Sequence, residues 1–159
     1  MKIHIRKGFG FGLTSGIITT LGLLIGLTYS TQSKKVVLGG IILIAIADAL
    51  SDALGMHISE EAGSKTTTEK QIWASTISTT VFKFLFALTF AVPVLLFTLQ
   101  GAVIISVIWG ILLLSVFSCY IAKKRKENPL GAVFEHLVIA GIVITITYFI
   151  GNWISTWAI

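Results

Sequence analysis

Cysteine, acidic residues and charge in general are scarce in this chain of 159 residues. The single cysteine, Cys119, excludes an internal disulfide. Asp and Glu together number only seven, and charged residues make up 12% of the chain against 55% hydrophobic residues. A soluble domain of this length has too much surface for its volume to hide so much apolar area. The composition therefore favours lipid as the solvent.

Long apolar runs are what the sequence has in abundance. A helix needs roughly 20 apolar residues to cross a hydrocarbon core of about 30 Å. Five runs are long enough: Gly8–Ser30, Val36–Ile58, Ala74–Leu99, Ala102–Ala122 and Leu130–Trp157. The first run is too long for the hydrophobic region of a signal peptide, and no A-x-A site follows it. We therefore predict an all-α, multi-pass integral membrane protein, in which residues 1–159 form one domain of five transmembrane helices in the cell membrane.

The basic residues give this protein a net charge of +5, but their placement is not that of a nucleic-acid-binding face. They lie in short runs at the ends of apolar segments, "KIHIRK", "SKK" and "KKRK". Nine of them fall at the N-terminus and in the second and fourth connections, against two in the first connection. Because basic flanks stay on the cytoplasmic side, we predict a cytoplasmic N-terminus and an outside or luminal C-terminus.

The glycines of the first run follow a four-residue spacing, at Gly8, Gly12 and Gly16 and again at Gly22 and Gly26. Small side chains at this spacing let helix backbones approach closely in lipid. The stretch "GFGFGLTSG" superficially matches a dinucleotide-binding loop, but no strand precedes it. No Ser-His-Asp, HExxH or phosphate-loop pattern occurs either, so the sequence does not predict an enzyme.

The segment "ADALSDALGMHIS" places two carboxylates, Asp48 and Asp52, within an otherwise apolar run. Four residues apart, they project from one helix face. Counted back from Glu60, Asp52 lies roughly 12 Å and Asp48 roughly 18 Å along the helix. A charge at such depth costs at least about 2.5–3.5 kcal/mol. The pair must therefore be protonated, paired, solvated in a cavity or bound to a cation.

One basic residue, Lys83, also lies inside an apolar run, roughly 15 Å along its helix from the same side. We predict that Lys83 pairs with Asp48 or Asp52, because burying both signs unpaired is expensive. Such a pair has two interpretations. Lys83 offsets one carboxylate in a purely structural cluster, or the charges mark an ion pathway.

Four segments of the chain carry a family resemblance: "FGLTSGIITTLGL", "ALSDALGMHIS", "FALTFAVPVLL" with Pro93, and "GAVFEHLVIAGIVITITYFIG" near the C-terminus. Together they resemble the vacuolar iron transporter family. The resemblance covers nearly the whole chain. It implies five transmembrane helices, a homodimer, and export of Fe²⁺ or Mn²⁺ from the cytoplasm, often against protons. The metal is then cargo, and no tightly bound cofactor is expected.

The departures from the family pattern fall on its metal-binding positions. Ser15 stands where the family has a first-helix aspartate, and Asp52 stands where it has a second-helix methionine. Met56 and His57 replace the family's Glu-Tyr pair. The long acidic cytoplasmic insert of eukaryotic members is reduced to "SEEAGSKTTTEKQ". Asp48, Asp52 and Met56 then form one stripe, and carboxylate oxygen with soft sulfur suits Fe²⁺ better than Mg²⁺.

Further polar residues complete the candidate site. Asp52 is predicted as the principal metal ligand, Asp48 as its proton-exchanging neighbour, and Ser15 as a hydroxyl ligand. Glu60 and Glu61 are either entry ligands or solvated helix-end charges. His57 is expected as a hydrogen-bonded interfacial histidine. Glu135 serves a proton or metal path or pairs with the "KKRK" flank, and the pairing is favoured. The alternative function is a transport-inactive structural or regulatory membrane protein, with an Asp–Lys pair in place of the metal site.

The charge asymmetry generates a topology prediction. Reporter domains fused to the two ends should localise to opposite sides of the membrane, with the N-terminal fusion in the cytoplasm. Fluorescent and periplasmic-active reporters measure this directly. Both ends on the same side would contradict the arrangement with five spans.

Overall fold

A computed structural model of the chain describes residues 1–63 and 66–157. It is 91% helical, and the described residues contain no strand. Seven α-helices follow one another: α1 Lys2–Thr31, α2 Lys34–Leu43, α3 Ala49–Gly63, α4 Glu69–Thr89, α5 Ala91–Leu96, α6 Leu99–Arg125 and α7 Pro129–Ser155. A π-helical turn, Ile44–Asp48, joins α2 to α3 without a break. Lys65, which contributes to the predicted charge asymmetry, lies outside the described residues.

The helices group into five segments that are long and apolar enough to cross a membrane: Lys2–Thr31, Lys34–Gly63, Glu69–Leu96, Leu99–Arg125 and Pro129–Ser155. Their number and order match the five predicted runs. Most ends extend a few residues into polar sequence, because helical hydrogen bonding continues past the last apolar side chain. The predicted start of the last helix is confirmed, since the Asn128 side chain accepts the Leu130 N–H at 3.0 Å and Pro129 occupies the first turn.

The sequence predicts the third segment as a single span, but in the structure this segment is not one continuous helix. It is interrupted at Phe90, between α4 and α5. Pro93 explains the break, because a proline has no N–H for the carbonyl of Thr89 and its ring collides with that carbonyl. The Phe90 N–H bonds instead to Ala87 O at 3.2 Å.

Two compact units are present. One comprises Met1–Thr20 and Ile41–Ala91, and the other comprises Leu21–Gly40 and the chain from Val92 onward. In the first unit, the glycines of α1 lie directly on the backbone of α4. A Cβ added to each would lie 2.2 Å from Ser75 O at Gly8, 2.7 Å from Thr79 O at Gly12 and 3.1 Å from Lys83 O at Gly16. The predicted close helix approach is confirmed, and it follows a four-residue spacing on both helices.

In the second unit, a glycine of α7 makes the close backbone approach to α1. A Cβ on Gly151 of α7 would lie 2.6 Å from Gly26 O, and the rings of Tyr29 and Tyr148 meet edge to face with centroids 4.5 Å apart. Elsewhere in this unit, Lys34 Nζ donates to the carbonyls of Leu95 and Phe97 at 3.0 Å each. That ammonium satisfies carbonyl groups at the end of α5 that have no helical partner.

The contact between α1 and α4 leads to a stability prediction. Gly12→Ala should destabilise the protein by about 1–3 kcal/mol, because the new methyl group overlaps the carbonyl of Thr79. Gly39→Ala is the matched control, since a Cβ there meets nothing within 4 Å. Thermal unfolding of the two variants in the same detergent compares them. Equal melting temperatures would contradict the tight contact.

Candidate functional site

The centre of the first unit is a cluster of four polar side chains from three segments. Asp48 is the last residue of the π-helical turn, Asp52 lies in α3, Ser15 in α1 and Lys83 in α4. The Lys83 side chain is only 1% exposed, whereas Asp48 is 31% and Asp52 22% exposed. The ammonium therefore lies on the buried side of the cluster, and the carboxylates lie on its more exposed side.

Lys83 contacts both aspartates at once. Its Nζ is 2.5 Å from Asp48 Oδ2, and it donates a hydrogen bond to Asp52 Oδ2. The predicted proximity of Lys83 to the carboxylates is thus confirmed, and it extends to both of them. Removing one partner of a buried ion pair costs about 3–5 kcal/mol, because the other charge is left uncompensated.

Ser15 completes the coordination of the ammonium. Lys83 Nζ donates to Ser15 Oγ at 3.0 Å, and Ser15 Oγ donates in turn to Asp52 Oδ2 at 2.6 Å. Asp52 Oδ2 thus accepts two hydrogen bonds. Asp48 Oδ2 is buried and accepts no hydrogen bond of good geometry despite its ion pair with Lys83. The two carboxylates are therefore unequal, and Asp48 is the less satisfied.

The local backbone around the aspartates departs from regular helix. The π-helical turn ends at Asp48, one helical turn before Asp52. Single π turns inside α-helices cost stability and occur frequently at functional sites. The amino-acid pattern "IAIAD" gives no signal for this turn, and the sequence did not predict it.

Glu60 forms a second buried cluster, at the end of α3. Its Oε2 is 3.0 Å from His4 Nδ1, its Oε1 accepts from Lys7 Nζ at 3.0 Å, and its side chain is 7% exposed. Of the two alternatives given for Glu60, the solvated helix-end charge does not apply, because the side chain is buried and paired. Glu61 is exposed, and its Oε1 lies 3.7 Å from His57 Nε2.

The Glu60 cluster continues the spacing of the central one. Glu60 follows Met56 by four residues, as Met56 follows Asp52, so one side of α3 carries all these polar groups. Met56 is half-buried. His4 and Lys7 lie three residues apart on α1 and were missed as partners. The continued four-residue spacing was the available signal.

His57 and Glu135 lie away from both clusters. The Thr76 hydroxyl donates to Ile72 O, so His57 donates its Nδ1–H to Thr76 Oγ1 at 3.1 Å. The hydrogen bond expected for His57 is confirmed. The favoured pairing of Glu135 with the basic flank is wrong for the described residues: the carboxylate is exposed without an ion pair, and Arg125 pairs with Glu127 instead.

A preformed metal centre is not what the cluster resembles. Among residues 1–63 and 66–157, no group of three or more His, Cys, Asp or Glu side chains is placed to hold a metal ion. The two carboxylates instead surround an ammonium. They offer oxygen ligands to a cation only when Lys83 gives up some of its contacts.

No protein-family model matches the sequence, and no curated protein is significantly similar to it. The resemblance to the vacuolar iron transporter family therefore rests on the four quoted segments alone.

The Glu60 cluster gives a testable stability difference. Glu60→Gln should lower the free energy of unfolding by about 1–2 kcal/mol, because the amide removes the buried negative charge and keeps only one of the two oxygens that contact Lys7 and His4. The exposure of Lys7 keeps the effect below that of a fully buried pair. Glu61→Gln is the adjacent control and should change stability by less than about 0.5 kcal/mol. Equal losses in detergent unfolding would show that Glu60 is not specially held.

Proposed function

We propose that this chain is a multi-pass membrane protein that exports a divalent metal ion, Fe²⁺ or Mn²⁺, from the cytoplasm. Asp48 and Asp52 bind the ion, and protons move in exchange. The five apolar helices and the resemblance to vacuolar iron transporters support this proposal, and the same resemblance supports a homodimer in the lipid bilayer. The cluster itself supplies the physical argument.

The observation that carries the proposal is the charge balance of the cluster. Two carboxylates share one buried ammonium, so an excess negative charge remains when both are ionised. In a hydrocarbon environment an unbalanced charge is expensive. The carboxylates therefore have affinity for a further cation, which approaches from their partly exposed side when Lys83 gives up some of its contacts.

The neighbouring groups favour a borderline divalent ion. Met56 follows Asp52 by one helical turn on the same side of α3, and we include its thioether among the proposed ligands. Soft sulfur favours Fe²⁺ over Mg²⁺ and Ca²⁺, which prefer all-oxygen sites. Ser15 adds a hydroxyl oxygen from α1.

Proton exchange follows from competition for the same oxygens. A metal ion must displace any proton that the two carboxylates hold, so metal and protons compete. Acidification then releases the metal. Asp48 is the exchanging member in this proposal, because its buried oxygen has no well-formed hydrogen bond, whereas Asp52 is held by Ser15 and Lys83.

The contacts of Lys83 favour a second candidate function. An ammonium that satisfies both carboxylates is also what a purely structural cluster needs. In that case, the chain is a transport-inactive structural or regulatory membrane protein. The two candidates differ in whether the aspartates are needed for ion movement or only for folding.

Metal flux into proteoliposomes separates the two candidates. Asp52→Asn should abolish Mn²⁺ and Fe²⁺ flux while the protein stays folded, since the amide keeps the size and hydrogen bonds but removes the charge. Asp48→Asn should chiefly weaken the pH dependence of flux. Glu127→Gln, which removes an exposed carboxylate of the loop before α7, is the control and should transport as the parent does.

Size-exclusion chromatography in detergent verifies that each variant remains folded. Parent-like flux of Asp52→Asn would leave the structural candidate standing and refute transport through this pair.

A further inference from the structure

The ammonium of Lys83 lies among three oxygens. A lysine offers three N–H donors, and three oxygens surround this one: Ser15 Oγ, Asp52 Oδ2 and Asp48 Oδ2. The side chain is almost fully buried. A cation is thus already present between the carboxylates, and it is covalently attached to α4.

We propose that Lys83 is the selectivity-determining residue of the site: a tethered cation that keeps Na⁺ and K⁺ off the Asp48–Asp52 pair and yields only to a divalent ion. This inference rests on the proposed function, because it assumes that the pair binds a metal ion. It assigns to Lys83 a task beyond charge compensation.

The reason is that a monovalent ion gains nothing by replacing an ammonium of the same charge. Each brings one positive charge to the same two carboxylates, so the Coulomb energies are similar. The free ion must also give up its hydration and its freedom of movement, whereas attachment gives the lysine a high effective concentration at the site. Na⁺ and K⁺ therefore lose the competition even when they are abundant.

A divalent ion changes this balance. Its attraction to each carboxylate is twice that of a monovalent ion at the same distance. The lysine stem has four rotatable carbons, so the ammonium is able to leave the carboxylates while its backbone stays against Gly16 of α1. In this proposal, Mn²⁺ or Fe²⁺ displaces the ammonium by rotation of that stem.

The cluster contains more carboxylates than an ion pair needs, and this favours a selectivity role for Lys83 over charge neutralisation alone. A structural ion pair needs one ammonium and one carboxylate, but here a second carboxylate contacts the same nitrogen. When both carboxylates are ionised, Lys83 compensates only one of the two charges. A divalent ion that displaces Lys83 from the pair matches the charge of both carboxylates, and a monovalent ion does not.

The test measures Mn²⁺ binding by isothermal titration calorimetry on the purified full chain. Two buffers of equal ionic strength are compared, one containing NaCl and one containing choline chloride, whose cation is too bulky for the site. Parent protein, Lys83→Gln and Lys83→Met are titrated in both. Lys83→Gln retains amide donors for Ser15 and Asp52, so it is the variant better suited to folding. Lys70→Gln, an exposed lysine at the start of the same helix, is the matched control.

The parent and Lys70→Gln should bind Mn²⁺ with affinities that differ by less than about twofold between the two buffers. Lys83→Gln and Lys83→Met should bind Mn²⁺ about tenfold or more tightly in choline, a gain of about 1.4 kcal/mol. Both should lose most of that gain in NaCl, because Na⁺ then occupies the vacated pair.

Three results would overturn the inference. The first is a parent whose Mn²⁺ affinity already falls in NaCl relative to choline, a result that needs no variant at all. The second is a Lys83 variant whose Mn²⁺ affinity responds to NaCl as that of the parent does. This result would refute the selectivity role of Lys83 but not metal binding by the aspartates. Absence of Mn²⁺ binding in the parent and in every variant refutes the proposed function itself.

Discussion

The contact of one buried ammonium with two carboxylates is the interaction on which this account depends. Lys83 reaches Ser15 because α1 and α4 lie backbone to backbone, and Gly16 makes that approach possible at Lys83 itself. A Cβ added at this glycine would lie 3.1 Å from Lys83 O. The small residues of α1 thus have two consequences: they pack the first unit closely, and they bring the hydroxyl group into the ionic cluster.

Much of this could be predicted from the sequence, because the determining forces are local or simply additive. Helix number followed from the length of apolar runs, and the start of α7 from Asn128 and Pro129. The Lys83 contact followed from equal depth along two helices and from the cost of an isolated charge. In each case a single interaction or steric rule was strong enough to decide the local structure.

The sequence failed where several weak terms compete or where the partner comes from a distant segment. The π-helical turn before Asp48 depends on packing that no local residue pattern encodes. The burial of Glu60 depends on His4 and Lys7, more than 50 residues earlier in the chain. The break at Phe90 was predictable from Pro93, because a proline disrupts the helical turn that precedes it.

Asp48 and Asp52 are the only aspartates in the chain, so isotope-labelled aspartate reports on the cluster alone. Infrared difference spectroscopy of the protein carrying ¹³C-carboxyl aspartate, recorded in lipid before and after addition of Mn²⁺, tests the central claim most directly. The account predicts that Mn²⁺ shifts the labelled carboxylate stretching bands, because the oxygens exchange an ammonium partner for a metal ion. Labelled bands that stay unchanged at saturating Mn²⁺ would contradict the claim that this pair binds a divalent ion.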